Sequence, residues 1–284
     1  MSCRGSLFIA IAFLLALLLC SNAPATTWMV SKSGDDGNSG TSWEQAKVSI
    51  QAAINAASDG DDVWVASGTY TATTDPVVAM KENVGLWGGF AGNEDPATFD
   101  LASRDFAAYQ TVIDGQGGRR CVIGANTATL DGFTVTRGKS SNGGGMFNNY
   151  SSPTVTNCTF TQNSASSCGG GMYNYSSSSP TVTNCTFTSN DGGGMYNSSS
   201  SPTVTNCTFT QNSASYGGGM YNSSSSPAVT NCTFTGNTAS NYGGGMYNSA
   251  SSPTLTACTF FSNSADSGGG IENYNGSKPT MVNC

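Results

Sequence analysis

The chain has 284 residues, of which only 10% are charged, and 36 residues are glycine. It contains no histidine, which excludes histidine-based catalysis and histidine-ligated zinc. A polar composition with few charges is typical of disordered chains, but a disordered chain has no fixed period and this one has.

The first segment has the pattern of an export signal. Arg4 precedes an unbroken apolar run over residues 7–19, and Ala23-Pro24-Ala25 then offers small residues at both cleavage positions. We therefore expect residues 1–25 to be a signal peptide and the mature chain to begin near Thr26. The apolar run is too short to span a bilayer comfortably, and we expect no transmembrane span in the mature chain.

Export predicts a secreted protein, or one on the cell surface or outer membrane of a bacterium. A lipoprotein anchored at Cys20 is the alternative, although Leu19 stands where a small residue is expected. Removal of Arg4 with the signal leaves nine basic and seventeen acidic side chains, a net charge near −8. This charge disfavours nucleic acid or an anionic membrane surface as a partner.

Residues 26–60 form the predicted N-terminal segment and end in a capping helix. The helix is expected over residues 49–58, with Ser49 as its N-cap and Gly60 after its end. Its apolar residues fall on one face, so the helix would cover the exposed end of a solenoid and block edge-to-edge aggregation.

Residues 61–140 are predicted to form irregular early coils of that solenoid. Short strand-like runs recur along this stretch, and we interpret them as degenerate coils. They are Val63-Trp64-Val65, Val84-Gly85-Leu86-Trp87, Thr111-Val112-Ile113, Cys121-Val122-Ile123 and Phe133-Thr134-Val135.

Residues 141–284 contain six copies of a repeat that reads GGGMYN…SPTVTNCTFTxN. Each copy has a cysteine five residues after its proline, and successive cysteines lie 27, 22, 25, 26 and 26 residues apart. This period is the length of one β-solenoid turn. The chain stops inside the sixth copy, so we expect a C-terminus that is truncated within the repeats. The cysteines are Cys158, Cys185, Cys207, Cys232, Cys258 and Cys284.

Each repeat is predicted to hold three short strands closed by asparagines in left-handed corners. Strand alternation sends the Met, Val, Cys and Phe positions inward and the Tyr and Thr positions outward. Asparagine tolerates the left-handed conformation, and its amide can bond to its copy in the next coil. Stacked coils then build a continuous core from the cysteine column and from Phe160, Phe187, Phe209, Phe234 and Phe260.

The predicted fold is therefore all-β: a right-handed, single-stranded parallel β-helix (a solenoid) with a short N-terminal capping helix. We expect the buried thiols to act as small hydrophobic groups. Side chains one coil apart point the same way, which disfavours disulfides and convergent metal ligation between them.

Two resemblances support this fold. The Gly-Gly-Gly-Met/Ile tetrads followed by Phe-x-x-Asn resemble the repeats of chlamydial polymorphic outer membrane proteins, which pair GGA-I with FxxN, although this chain has glycine at the third position. The stretch from Ser49 through Tyr70, with Gly88–Gly92 and Leu130–Phe133, is similar to bacterial proteins of the pectate-lyase-like superfamily. That superfamily holds lyases, hydrolases, adhesins and autotransporter passengers, so the resemblance implies a fold more than a function.

A polysaccharide lyase or hydrolase acting on acidic polysaccharide is one predicted alternative. Lyases use carboxylates to hold Ca²⁺ against a uronate and a basic residue to remove a proton. Between Ser140 and Ala265 the only charged side chain is Asp191, so such a site must lie in the early coils. The candidates for catalysis are Asp114, Asp131 and Arg137, although Asp-Gly pairs are also ordinary turn sequences.

No cofactor is expected from the sequence, with one open alternative. The clusters Asp35-Asp36-Gly37-Asn38 and Asp59-Gly60-Asp61-Asp62 offer the oxygen ligands that Ca²⁺ prefers. Neither has the spacing of an EF-hand loop, so solvated turns are the favoured interpretation of both clusters.

The predicted binding surface consists of two outward columns. Exposed aromatics can stack on sugar rings or contact a protein, which predicts a glycan or a host-cell or cell-surface protein as partner. The leading hypothesis is a non-catalytic, adhesin-like or autotransporter-passenger-like binding or structural module. Flat Thr-x-Thr arrays also resemble the faces of insect antifreeze proteins, so ice binding is a second alternative. The columns are Tyr173, Tyr196, Tyr221 and Tyr247, and Thr181, Thr183, Thr203 and Thr205.

Overall fold

The computed structural model describes residues 25–284, so the predicted signal peptide lies almost entirely outside the described residues. Nearly all of the regular secondary structure in this part of the chain is β-strand. In chain order the elements begin with β1 (Thr27–Val30), α1 (Ile50–Ala56), β2 (Asp62–Ala66), β3 (Gly68–Tyr70), β4 (Val78–Ala79), β5 (Gly85–Phe90), a 3-10 helix (Leu101–Ser103), β6 (Thr111–Asp114), β7 (Val122–Ile123), β8 (Thr129–Asp131), β9 (Phe133–Thr136) and β10 (Lys139–Asn142).

The regular repeats supply the remaining strands. They are β11 (Met146–Asn149), β12 (Thr154–Thr156), β13 (Thr159–Thr161), β14 (Ser164–Cys168), β15 (Met172–Tyr175), β16 (Thr181–Thr183), β17 (Thr186–Thr188), β18 (Met195–Ser198), β19 (Thr203–Thr205), β20 (Thr208–Thr210), β21 (Ser213–Tyr216), β22 (Met220–Ser223), β23 (Ala228–Thr230), β24 (Thr233–Thr235), β25 (Thr238–Tyr242), β26 (Met246–Ser249), β27 (Thr254–Thr256), β28 (Thr259–Phe261), β29 (Ile271–Tyr274) and β30 (Thr280–Val282).

These strands stack as three long parallel sheets, and each complete coil contributes one strand to each sheet. The valine sheet has ten strands, in the order β1-β2-β5-β8-β12-β16-β19-β23-β27-β30. The phenylalanine sheet has eight, β3-β6-β9-β13-β17-β20-β24-β28, and the tyrosine sheet has eight, β4-β7-β11-β15-β18-β22-β26-β29. The predicted all-β parallel β-helix is confirmed. A shorter fourth pairing, β10 with β14 and β21 with β25, was not predicted.

The core lies inside the coil and follows the predicted alternation. Met195, Val204 and Phe209 are fully buried, and their copies in neighbouring coils pair with them in register. The phenylalanine rings stack nearly parallel, with centroids 4.7–4.9 Å apart. Phe260 is only partly buried, because it belongs to the last strand of its sheet.

The cysteine column is buried as predicted except at Cys284, and its thiols also make hydrogen bonds. The Cys207 thiol contacts the Thr205 carbonyl oxygen at 3.2 Å, and its backbone N–H donates to the Cys232 sulfur at 3.4 Å. The column therefore satisfies backbone groups at a corner where the sheet ladder is interrupted. Burial raises the pKa of the Cys185 thiol, and every cysteine in the described part of the chain is unpaired.

Asparagines form two ladders, which confirms the predicted amide bonds between coils. The corner prediction is confirmed for the column that includes Asn206 but was wrong for the two ladders. The left-handed corner residues are their neighbours, such as Ser199 and Gln211, or the exposed column of Asn206. In both ladders each side-chain amide donates to the amide oxygen of its copy one coil later, at 2.8–3.1 Å. The first asparagine ladder is Asn148, Asn174, Asn197, Asn222, Asn248 and Asn273, and the second is Asn163, Asn190, Asn212, Asn237 and Asn263.

The third glycine of five of the six triplets stands where two coils approach closely. A Cβ atom added at Gly219 would lie 2.5 Å from the carbonyl oxygen of Gly245, and one at Gly194 would lie 2.6 Å from that of Gly219. Such distances are well inside van der Waals contact. This crowding favours glycine over any residue with a Cβ atom at these positions.

The N-terminal segment contains the predicted capping helix. Helix α1 is capped by Ser49, whose hydroxyl accepts the Ala52 backbone N–H, and it buries Ile50, Ala53 and Ile54. This apolar face joins the hydrophobic core at the level of β1, β2 and β4, so the helix covers the first coil. No helix within residues 25–284 is both long and apolar enough to cross a membrane.

Candidate functional site

The aromatic column predicted on the outer face lies on the tyrosine sheet. Phe147 and the four predicted tyrosines pair in register from coil to coil, and Glu272 continues the column. Neighbouring ring centroids are 4.5–5.5 Å apart, so the rings form one continuous stack. This column consists of Tyr173, Tyr196, Tyr221 and Tyr247.

The column is less exposed than predicted, because a second layer of tyrosines covers it. Tyr173 is 9% and Tyr247 only 6% exposed. Tyr216 and Tyr242 pair with each other across β21 and β25 and place their rings 5.5 Å and 6.0 Å from that of Tyr247. The rings that face solvent are those of this outer layer, which also includes Tyr175 at 42% exposure.

Sequence reasoning missed the outer layer, although a signal was present. Tyr216 and Tyr242 each stand directly before a glycine triplet, and Cys168 holds the same place in an earlier copy. That stretch varies in length between copies, which is typical of an irregular loop. In two places it forms paired strands instead, and the β21–β25 pair presents these tyrosines in register.

A cleft of about 700 Å³ opens where the two layers meet near the last coils. Its lining combines aromatic faces, several hydroxyl groups and a single carboxylate, with no lysine or arginine. Glu272 accepts a hydrogen bond from the Ser267 hydroxyl at 2.9 Å. We call this the tyrosine cleft; it is lined by Tyr216, Tyr221, Tyr242, Tyr247, Ser249, Glu272 and Tyr274.

The inner tyrosines have phenols that resist ionisation. Burial raises the pKa of Tyr221 to about 12, and burial likewise raises the pKa of Tyr196 and of Tyr247. The cleft therefore offers neutral hydroxyls, which can both donate and accept hydrogen bonds, across the physiological range.

This shift predicts a loss of stability in alkali. Because the pKa of Tyr221 is higher in the folded state than the value of about 10 in an unfolded chain, its contribution is complete below about pH 10. It is lost as the pH rises through the folded value. We expect a phenolate absorbance step near pH 12 that Tyr221→Phe makes smaller and Tyr150→Phe leaves unchanged. A native titration complete by about pH 10 would contradict this expectation.

The predicted threonine columns lie on the valine sheet and point outward. Thr181 and Thr203 are exposed, Thr183 and Thr205 are half-buried, and each pairs with its copy in register. A parallel file of threonines, including Thr186 and Thr208, follows the phenylalanine sheet. The array is flat and nearly uncharged, but Ala228 interrupts the first file.

The three catalytic candidates do not meet in one site. Asp114 is buried and forms an ion pair with Arg137; it also accepts the Gln116 backbone N–H at 2.8 Å. Asp131 instead pairs with Arg104 at 2.9 Å and accepts a hydrogen bond from Asn157 at 3.2 Å. The structure thus shows two separate ion pairs, and no hydrogen bond or ion pair joins Asp131 to Asp114 or Arg137.

Arg104 is the residue around which the Asp131 pair is built, and it was not singled out from the sequence. Its side chain is 3% exposed, and its guanidinium lies 5.0–5.7 Å from the ring centroids of Trp87, Phe90 and Phe106. It also donates to the Gly88 carbonyl oxygen at 2.9 Å. With its donors engaged inside an aromatic cage, this arginine stabilises the early coils.

The acidic turns proposed for Ca²⁺ use their oxygens within the chain. Asp36 accepts hydrogen bonds from the backbone of Val48 and Ser49 and from the Ser49 hydroxyl, at 2.7–3.0 Å. Asp35 accepts the Gly37 backbone N–H at 2.7 Å. Over residues 25–284, no three acidic or cysteine side chains converge as a metal site.

A comparison with protein-family profiles agrees with this architecture. A family profile described as "Right handed beta helix region" matches residues 109–260. A search of curated proteins with the sequence found no match. Similar solved structures are the pectate lyase Pel9A (14% identity, TM-score 0.48, covering 92% of this chain and 79% of that one) and the ORF18 protein of Geobacillus virus E2 (17%, 0.42, 81% and 57%).

A rhamnogalacturonan lyase is also similar, at 14% identity and a TM-score of 0.36, covering 91% of this chain and 62% of that one. Values this low carry no argument about what this chain binds or does. The similarity of the repeats to chlamydial polymorphic outer membrane proteins stays a prediction.

Proposed function

Since the chain belongs to the right-handed β-helix family, we propose that its solenoid is a non-catalytic scaffold that presents the tyrosine cleft to carbohydrate. The observation that carries this proposal is the two-layered tyrosine cluster with its open cleft. Aromatic rings stack on the apolar faces of sugars, while phenol and carboxylate oxygens take up the sugar hydroxyls. Binding outside a bacterial cell, as an adhesin-like module, would fit the signal pattern at residues 1–25.

The chemistry of the cleft favours neutral sugars. Glu272 is its only charged lining residue, and the mature chain carries a net charge near −8. A uronate would therefore meet a like charge with no basic partner. We infer that the ligand is a neutral pyranose oligosaccharide long enough to contact both Tyr216 and Tyr242.

The test is binding of neutral and acidic oligosaccharides by calorimetry. Tyr216→Ala and Tyr242→Ala are each expected to weaken neutral-glycan binding by about tenfold, which corresponds to loss of one stacking contact of about 1.4 kcal/mol. Tyr150→Ala is the matched control, because this tyrosine is 74% exposed and lies outside the cleft lining. Equal affinity in the cleft variants and the control would contradict the proposal.

The same protein samples separate the alternative functions. Release of unsaturated uronates from acidic polysaccharide would support a lyase. Thermal hysteresis abolished by replacing outward threonines such as Thr203 would support ice binding, which the flat register of the threonine files favours. Binding of a host or cell-surface protein without any glycan would keep the adhesin-like role and overturn the carbohydrate ligand.

A further inference from the structure

Asp61 is a buried carboxylate beside the start of the first strand. It is 6% exposed, and three N–H groups donate to its oxygens: Thr26 N at 2.7 Å, Ser58 N at 2.7 Å and Trp28 Nε1 at 3.0 Å. Within residues 25–284 no lysine or arginine nitrogen lies within 4.0 Å of it. Buried carboxylates are normally paired with a cation. Within the described residues Asp61 has hydrogen-bond donors but no cationic partner.

The surrounding groups increase the need for a positive charge. Asp62 follows directly, and its carboxylate accepts the Trp87 indole N–H at 2.7 Å. The positive charge of Lys81 helps to lower the pKa of Asp61, but the Lys81 ammonium donates its hydrogen bond to the Ala57 carbonyl oxygen. Burial raises the pKa of Asp61, and the donors from Trp28, Ser58 and Thr26 outweigh this and lower it below its usual range. The group is therefore ionised at neutral pH.

The sequence independently predicts that a new positive charge forms on the Thr26 nitrogen, next to the Asp61 carboxylate. The small residues Ala23-Pro24-Ala25 predict cleavage after Ala25. Cleavage there would make the Thr26 nitrogen the α-amino group of the mature chain. That nitrogen is the one that already lies 2.7 Å from the Asp61 carboxylate.

We propose that signal cleavage between Ala25 and Thr26 converts this hydrogen bond into an ion pair that locks the N-terminal end of the solenoid. A signal-peptidase-type protease hydrolyses the peptide bond with one water. Ala25 leaves with a carboxylate, and the Thr26 nitrogen takes up protons to become an ammonium. The ammonium then supplies the cation that Asp61 otherwise lacks.

The pair would act on the strand that begins the valine sheet. Thr26 directly precedes β1, which pairs with β2, and Asp61 directly precedes β2. The ion pair therefore ties together the two strands that start the sheet. The processed protein would have a more firmly held first strand than the precursor.

The test uses the full chain expressed with its own leader in an exporting bacterial host. Mass spectrometry of the N-terminal peptide should show a chain that starts at Thr26. At neutral pH an acylating reagent should modify its α-amine at least about tenfold more slowly in the native protein than in urea, which corresponds to a pKa raised by one unit. Asp61→Asn should remove this protection, whereas Asp59→Asn, at an exposed position, should retain it.

A different N-terminal residue would overturn the proposal. So would a native α-amine that reacts as fast as the amine of the unfolded chain. If Asp61→Asn does not fold, the test rests on the wild-type protein alone, through the ratio of its α-amine acylation rate in the native state to that in urea. Neither result depends on whether the tyrosine cleft binds carbohydrate.

Discussion

Replacement of Asp131 by alanine is expected to lower the free energy of unfolding by about 3–5 kcal/mol, the cost of leaving a buried charge without its partner. Arg104 would keep its charge inside the aromatic cage, with a side chain that is 3% exposed. Urea denaturation of the purified protein measures the change. Asp266→Ala, at an exposed acid, should stay within about 0.5 kcal/mol of wild type.

Removal of both charges provides the sharper control. Arg104→Met combined with Asp131→Leu should recover much of the stability, because no buried charge then remains unpaired. A loss below about 1 kcal/mol in the single variant would show that water reaches the pair. The result also bears on the lyase alternative, since activity lost in Asp131→Ala could reflect unfolding. That assay therefore requires the urea midpoint of each Asp131 variant to be measured beside its activity.

Replacement of Asn212 by alanine is expected to cost roughly 3 kcal/mol. Asn212 accepts the Asn190 backbone N–H at 3.0 Å, and its amide donates to the Phe187 carbonyl oxygen at 2.9 Å. Both backbone groups are buried, and each one left unsatisfied costs about 1–3 kcal/mol. The change is measured as a shift in the urea midpoint.

Asn241→Ala is the matched control, since the same chemical change is made on a half-buried side chain outside both ladders. It should shift stability by no more than about 0.5 kcal/mol. Equal losses for the two variants would mean that the ladder contributes no more than an ordinary surface asparagine.

The architecture was predictable because the sequence repeats at a spacing of one coil. The spacing of the cysteines and the alternation around Val204 and Phe209 specify which side chains face inward, and the structure agrees. The helix capped by Ser49 was equally predictable, because its cap, apolar face and terminating glycine are all local signals.

The candidate site was only half predictable, because it depends on contacts between layers. The inner tyrosines follow from strand alternation, but their burial depends on Tyr216 and Tyr242, which come from segments of variable length. The pairing of Arg104 with Asp131 joins residues 27 positions apart in irregular coils, where no period constrains the register. Asparagine was expected at corners for its backbone preference, whereas in the two ladders its side-chain amide determines its position.

The direction of the asparagine ladders gives the solenoid a chemical polarity. Every bond runs the same way, from the amide nitrogen of one coil to the amide oxygen of the next, as from Asn197 to Asn222. The side-chain dipoles therefore add along the axis, as peptide dipoles do in a helix, and each bond polarises its neighbours. At the first rung the Asn148 oxygen is buried without a donor. Coil stacking would then become more favourable as coils accumulate, so a chain with more repeats should gain stability faster than in proportion to its length.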